Sequence, residues 1–217
     1  MESPSVRVAI IGAGTVGAAL VAMLNDHTRD AALHEAVGGT VEIVGIAVRD
    51  LQRPRPGIAQ ELLTTDADAL VARDDVDIVV ELAGGVDDAY RYVRRALESG
   101  KSVVTANKAL IAAKGTELET LARQHHVDLI FEAAVGGGIP ILRALRTSLV
   151  GEKIHRVMGI VNGTTNFILS AMTSDGASYD DVLAEAQRLG YAEADPTADV
   201  EGYDAAAKVT ILAALSF

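Results

Sequence analysis

The sequence predicts an α/β protein built on a doubly wound parallel sheet and continued, after residue 131, by part of a smaller α+β domain. Three observations carry this expectation. Short apolar, β-branched runs recur at 6–11, 41–48, 77–82, 102–105 and 128–131; helix-like stretches separate them; and a glycine-rich turn directly follows the first run. Strands covered by helices on both faces read as continuous apolar runs rather than alternating ones, which is the texture here.

Taken in order, residues 6–11 (VRVAII) form the first strand, Gly12 ends it, and 16–24 continue as an apolar helix. Residues 26–39 read as a helix extension and loop. The second strand, 41–48, runs into 50–57, where Pro54 and Pro56 prevent regular structure. Helices at 87–98 and 116–124 then alternate with the remaining strands. After Glu132 the texture changes to a glycine run at 136–138, a helix at 140–149, a strand-like 154–161, and helices near 165–172 and 179–189. Residues 1–131 and 132–217 are therefore read as two domains. The last segment, 203–217, is an apolar helix that meets the chain end without Gly, Pro or a polar stop, the pattern expected of a domain that is incomplete there.

Composition narrows the function classes. Among 217 residues, 19 Lys and Arg face 30 Asp and Glu, a net charge of −11 that opposes attraction to nucleic acid or an anionic membrane. Without Cys there is no disulfide, no thiolate nucleophile and no Cys-ligated zinc. No apolar stretch reaches the roughly 20 residues of a membrane span, and the first strand begins too early to leave room for a signal peptide. A cytoplasmic protein is expected.

Gly12-Ala13-Gly14-Thr15-Val16-Gly17 has the G-x-G-x-x-G spacing between a strand and a helix, the Rossmann-type context in which it binds dinucleotides. The first glycine permits the turn, the second admits the pyrophosphate, and the third lets helix pack on strand; helix N–H groups then hold the phosphates. After the second strand, Val48-Arg49-Asp50 offers both an acid for the ribose of NAD and an Arg for the 2′-phosphate of NADP. Arg49, with Arg53 and Arg55 behind it, favours NADP; a solvated loop face is the alternative.

Lys108, after the strand ending at Thr105, falls at the carboxyl edge of the sheet, where ligands bind; it suits an anionic substrate or the cofactor, or simply the surface. In EAAVGGGIP (132–140), Glu132 precedes a glycine turn whose carbonyls suit a weakly held monovalent cation; by itself the turn reads first as close backbone packing. Residues 162–166 (NGTTN) cap a helix or line a polar pocket.

The acid-rich stretch 190–204 leads to Lys208, which follows Asp204 by one helical turn in an otherwise apolar helix. A solvated acidic loop and a surface ion pair are the alternatives, but the one polar edge of such a helix faces a site more naturally than bulk water, and a lysine there is placed to exchange a proton with a substrate oxygen. Competing proton carriers are few: His27, His34, His125, His126 and His155 lie outside every motif, and Tyr203 and Lys208 are one residue too far apart for a Tyr-x-x-x-Lys pair.

Together, the segments GAGTVG, VVTANKAL, EAAVGGGIPI, GIVNGTTNFIL and GYAEADPTADVEGYDAAAK resemble homoserine dehydrogenases along the whole chain. The resemblance implies reversible NAD(P)-dependent interconversion of L-homoserine and L-aspartate 4-semialdehyde, in threonine and methionine biosynthesis. It implies Lys208 as catalytic acid/base with Asp204 orienting it or the substrate, Glu193, helped by Asp199, on the substrate ammonium, and Lys108 on substrate and nicotinamide. Gly190 would border the cofactor. Glu132 with the carbonyls of Val135, Gly137 and Ile139 would hold sodium or potassium, displacing the packing reading of that turn. The second domain would bind substrate and form a homodimer in the full-length protein. Two rivals stay open: another NAD(P)-dependent reductase of amino-acid metabolism, and a nucleotide-binding fragment without catalysis.

Overall fold

The computed structural model describes residues 4–217, which divide into two compact units between Ala134 and Val135. In the first unit six parallel strands form one sheet: β1 (Ser5–Ile11), β2 (Thr40–Ala47), β3 (Leu63–Thr64), β4 (Ile78–Glu81), β5 (Ser102–Thr105) and β6 (Leu129–Ile130). Their spatial order is β3-β2-β1-β4-β5-β6, so the chain reverses its direction of winding between β1 and β4. Ligands of such sheets bind at that crevice, beyond the carboxyl ends of the strands.

The intervening helices are α1 (Thr15–Leu24), α2 (Asp30–Val37), α3 (Ala67–Ala72), α4 (Asp87–Glu98) and α5 (Lys108–Gln124). Helix α4 shows why they cover the sheet: Ala89, Val93, Ala96 and Leu97, at helical spacing, are buried, while its arginines stay outside. Ile10, Ile46, Val79 and Val103 are fully buried in the strands, each burial of this kind contributing about 1.5–3 kcal/mol.

Two features tune the sheet. The β1–β2 register shifts between Val8 and Ala9, pairing Val8 with Ile43 and Ala9 with Gly45, so Val44 is bulged. Arg73 donates to its carbonyl (3.0 Å) and also pairs with Asp75. At the amino ends of β1 and β4, Arg7 grips Asp77 through Nε (3.0 Å) and Nη2 (2.8 Å), and the Arg7 amide adds a third bond. These bonds hold the Asp77 carboxyl below the usual carboxylate range.

The second unit is helical. A short turn, α6 (Ile141–Arg143), opens into a π-helical turn at Ala144–Ser148, and α7 (Gly163–Asp175), α8 (Tyr179–Arg188), α9 (Thr197–Val200) and α10 (Tyr203–Ser216) follow. Ile168 of α7 packs with Val182 and Ala186 of α8 and with Ala192. The expected helix at 140–149 is thus broken into two kinds of turn. The strand expected at 154–161 does not form: a strand exists through hydrogen bonds to a neighbour, and the second unit offers none among its described residues. Val157, Met158 and Ile160 of that run are exposed.

Candidate functional site

The turn between β1 and α1 has its shape imposed by the topology. Gly12 has φ +100°, and a Cβ there would meet the backbone of Leu82 and Ala83, at the end of β4, at 2.8 Å. A Cβ on Gly17 would lie 2.1 Å from the carbonyl oxygen of Gly12. Gly14 differs: a Cβ would find nothing within 4 Å, so no protein neighbour demands a glycine, and the open space lies at the N-terminus of α1. Gly14 caps that helix without a side-chain bond, which leaves first-turn N–H groups available to an anion.

A cleft of about 320 Å³ opens here, lined by Gly12, Ala13, Gly14, Arg49, Arg53 and Arg55 among others. Thr15 and Val16 are exposed at the start of α1. Arg55 folds its own loop, donating from Nη1 to the carbonyls of Asp50 (2.8 Å) and Arg53 (3.0 Å), while its Nε is buried without a hydrogen-bond partner.

At the ends of β4 and β5 lies a network that sequence reasoning missed. Glu81 is fully buried and accepts from the amides of Ala83 (2.9 Å) and Gly84 (3.1 Å) and from the Thr105 hydroxyl (2.6 Å). Thr105 in turn accepts from the Asn107 amide, and Asn107 donates to the Gly85 carbonyl (2.6 Å) and caps α5 through Leu110 N (3.0 Å). The loops after β4 and β5 are thereby joined, with half-buried Lys108 as the first residue of α5. The available signal is an acid, Glu81, set inside the apolar run IVVEL (78–82).

In the second unit, Lys208 Nζ donates to Asp204 (2.6 Å) and to the Val161 carbonyl (2.6 Å). The two side chains are 18% and 7% exposed, so the pair is largely withdrawn from water. Asn162, also buried, donates from one amide nitrogen to Asp199 (2.7 Å) and Asp204 (2.9 Å), while its oxygen caps α7 through Thr165 N (2.8 Å). Three of the predicted residues, Asp199, Asp204 and Lys208, thus form one cluster through Asn162. The sequence offered Asn162 as a cap; its bonds to Asp199 and Asp204 had no signal, because those partners lie far along the chain.

Glu193 is exposed, and among the described residues no hydrogen bond joins it to this cluster. Gln187 holds its backbone, donating to the carbonyls of Glu193 (3.2 Å) and Ala194 (3.4 Å). Gly190 ends α8 with φ +79°. Glu132 lies in a 3₁₀ turn at the end of the first unit, and Val135, Gly137 and Ile139 begin the second. The Ile139 carbonyl accepts from Ile141 N (2.8 Å), whereas those of Val135 and Gly137 accept no hydrogen bond among the described residues. No helix of the described residues is long and apolar enough to cross a membrane.

Comparisons with known proteins bear on both units. A family model described as the NAD-binding domain of homoserine dehydrogenase matches residues 12–132, and one described as homoserine dehydrogenase matches 140–217. Homoserine dehydrogenase of Corynebacterium glutamicum is 57% identical over 98% of the chain and 47% of its own length; that of Bacillus subtilis is 49% identical over 98% and 49%. The crystal structure of a homoserine dehydrogenase from Thiobacillus denitrificans superposes with a TM-score of 0.92 at 46% identity, covering 100% of this chain and 50% of that one. A hyperthermophilic archaeal homoserine dehydrogenase in complex with NADPH superposes with a TM-score of 0.85 at 32% identity, covering 99% and 70%. The chain spans about half the length of the curated relatives it matches. With a nucleotide-type crevice in one unit, a lysine–carboxylate cluster in the other and both units matched, the chain belongs to the homoserine dehydrogenase family.

Proposed function

We propose that this chain carries the nucleotide-binding and proton-transfer machinery of an enzyme interconverting L-homoserine and L-aspartate 4-semialdehyde. The observation that carries the reading is Lys208, held by Asp204 and the Val161 carbonyl in a nearly dry setting. An ammonium has three N–H bonds; two are committed, which fixes the direction of the third. In alcohol oxidation the neutral amine of Lys208, its two N–H bonds held and its lone pair in that third direction, accepts the hydroxyl proton and becomes the ammonium; in reduction the ammonium returns that proton to the oxygen as negative charge develops there. Asp204 orients the lysine, Glu193 and Asp199 bind the substrate ammonium, and Lys108 supplies positive charge to the substrate carboxylate and the nicotinamide.

The residues of the cleft fit a dinucleotide phosphate. Open space at Gly14, the free N–H groups of α1 and the glycine packing at Gly12 and Gly17 suit the pyrophosphate, with Ala13, Thr15 and Val16 completing the turn. Arg49 and the orphaned Nε of Arg55 favour a 2′-phosphate, hence NADP before NAD. Gly190 borders the cofactor. When bound, the cofactor supplies hydride exchange with the substrate carbon.

By residue type, Glu132 and the carbonyls of Val135, Gly137 and Ile139 offer one carboxylate and three neutral oxygens, a chemistry suited to sodium or potassium. That the carbonyls of Val135 and Gly137 accept no backbone hydrogen bond among the described residues supports this assignment. The protein is proposed to act in the cytoplasm as a homodimer. The test is homoserine-dependent reduction of NADP and of NAD, followed by nicotinamide absorbance. Cofactor binding with no turnover on homoserine in either direction overturns the reading.

A further inference from the structure

We infer that Asn162 is a positioning residue: its single side-chain amide holds Asp199 and Asp204 at a fixed separation and thereby sets the direction of Lys208. The inference rests on the proposed role of Lys208 and deepens it. Two carboxylates brought together in a half-dry site repel one another, and a neutral group with two N–H bonds is the smallest bridge that holds both without adding charge. Asn162 meets that description, with Nδ2 2.7 Å from Asp199 Oδ1 and 2.9 Å from Asp204 Oδ2. The same Asp204 Oδ2 accepts from Lys208 at 2.6 Å, so one carboxylate oxygen is shared by the lysine and the amide.

Sequence adjacency makes this coupling tight. Val161, whose carbonyl takes the second Lys208 bond, immediately precedes Asn162, so backbone and side chain of one dipeptide hold both anchors of the lysine. Asn162 is itself immobilised, because its oxygen accepts from Thr165 N (2.8 Å) and Thr165 Oγ1 (2.9 Å) at the start of α7. Movement of the amide would shift Asp204, and the lysine with it.

The cap and the bridge can be separated by substitution. In Asn162→Ser the hydroxyl still caps α7, since Ser and Asn are comparable N-caps, but it is too short to bridge two carboxylates. Thr165→Val does the reverse, removing one contact to the Asn162 oxygen while leaving the amide in place. We expect Asn162→Ser to stay folded, at some cost in thermal midpoint, and to keep its KM for the nicotinamide cofactor, while kcat falls roughly 10- to 100-fold, the scale of a misplaced reacting group. The ¹⁵Nζ resonance of Lys208, observed with labelled lysine, moves in Asn162→Ser and stays in place in Thr165→Val. An unmoved lysine resonance in Asn162→Ser, or a loss of kcat that Thr165→Val reproduces in step with thermal stability, overturns the inference. Full turnover in Lys208→Ala would instead strike the reading beneath it.

Discussion

Lys208 and Asp204 face each other across one turn of α10, 2.6 Å apart, on a helix that otherwise carries only small, apolar or hydroxyl side chains between Ala205 and Ser216. A charged pair in that setting is costly to desolvate unless it is fully bonded, and both partners are: Lys208 also reaches Val161, and Asp204 also reaches Asn162. The proposed role of this pair gives the first prediction. Lys208→Ala lowers turnover by about 10²- to 10⁴-fold, the usual contribution of a placed proton carrier, and leaves cofactor affinity close to the parent value. Steady-state kinetics combined with cofactor titration checks both halves.

Arg49 stands beside the cleft at the end of β2. Arg49→Ala is expected to weaken NADP by about 1.5–3 kcal/mol, the loss of one charge-assisted contact, and to leave NAD nearly unchanged. Equal losses for the two cofactors in a fluorescence titration would remove Arg49 from 2′-phosphate recognition.

Much of the fold was legible because periodicity and punctuation agree. The first two strands, α4 and β5 are readable from apolar runs and their stops, and Gly12, Gly14 and Gly17 mark the crevice in the sequence itself. Residues 154–161 were misread for a physical reason: β-branched and apolar content reports a capacity to pair, while a strand also needs a neighbour. The short β3 and α3 do not stand out from the polar residues around them, whereas the equally short β6 lies inside the apolar run 128–131. In the site, Lys208 and Asp204 were visible as neighbours on one helix face. Asn162 and Glu81 act through partners 37 and 42, and 24, residues away, and one sequence holds no signal for such pairings.

Glu81 offers a test of that second kind of residue. Glu81→Ala leaves the amides of Ala83 and Gly84 and the Thr105 hydroxyl without their buried acceptor, so a loss of at least about 2 kcal/mol is expected in urea unfolding. Glu81→Gln keeps an acceptor oxygen and is expected to cost clearly less.

The Arg7–Asp77 grip makes stability depend on acidity. Its bonds, foremost those from the Arg7 side chain, lower the Asp77 pKa in the folded state. A carboxyl with a depressed folded pKa stabilises above its unfolded value of about 3.9, and the gain disappears as pH falls through the folded value. Asp77→Asn is therefore less stable than the parent at neutral pH, and the two converge on acidification. A difference that persists unchanged to low pH in a series of denaturation curves would show that the ion pair is not its source.

His126, just after α5, is the one non-glycine residue with positive φ (56°) among the described residues, and its side chain is exposed. His126→Gly relieves the left-handed strain at some cost in chain entropy, for a net gain of about 0.5–1 kcal/mol. Differential scanning calorimetry reads this as a raised midpoint.

The contact between Gly17 and Gly12 reaches beyond sterics. Because the turn is braced from within by Gly17 and from the side by Leu82 and Ala83, its backbone has few alternative conformations to lose. A nucleotide arriving there meets a pre-organised cradle, and little of its binding energy is consumed in ordering the loop. Affinity at this crevice is then governed by how quickly the ligand leaves a rigid mould, so substitutions at Gly12 or Gly17 should be felt chiefly as faster cofactor release.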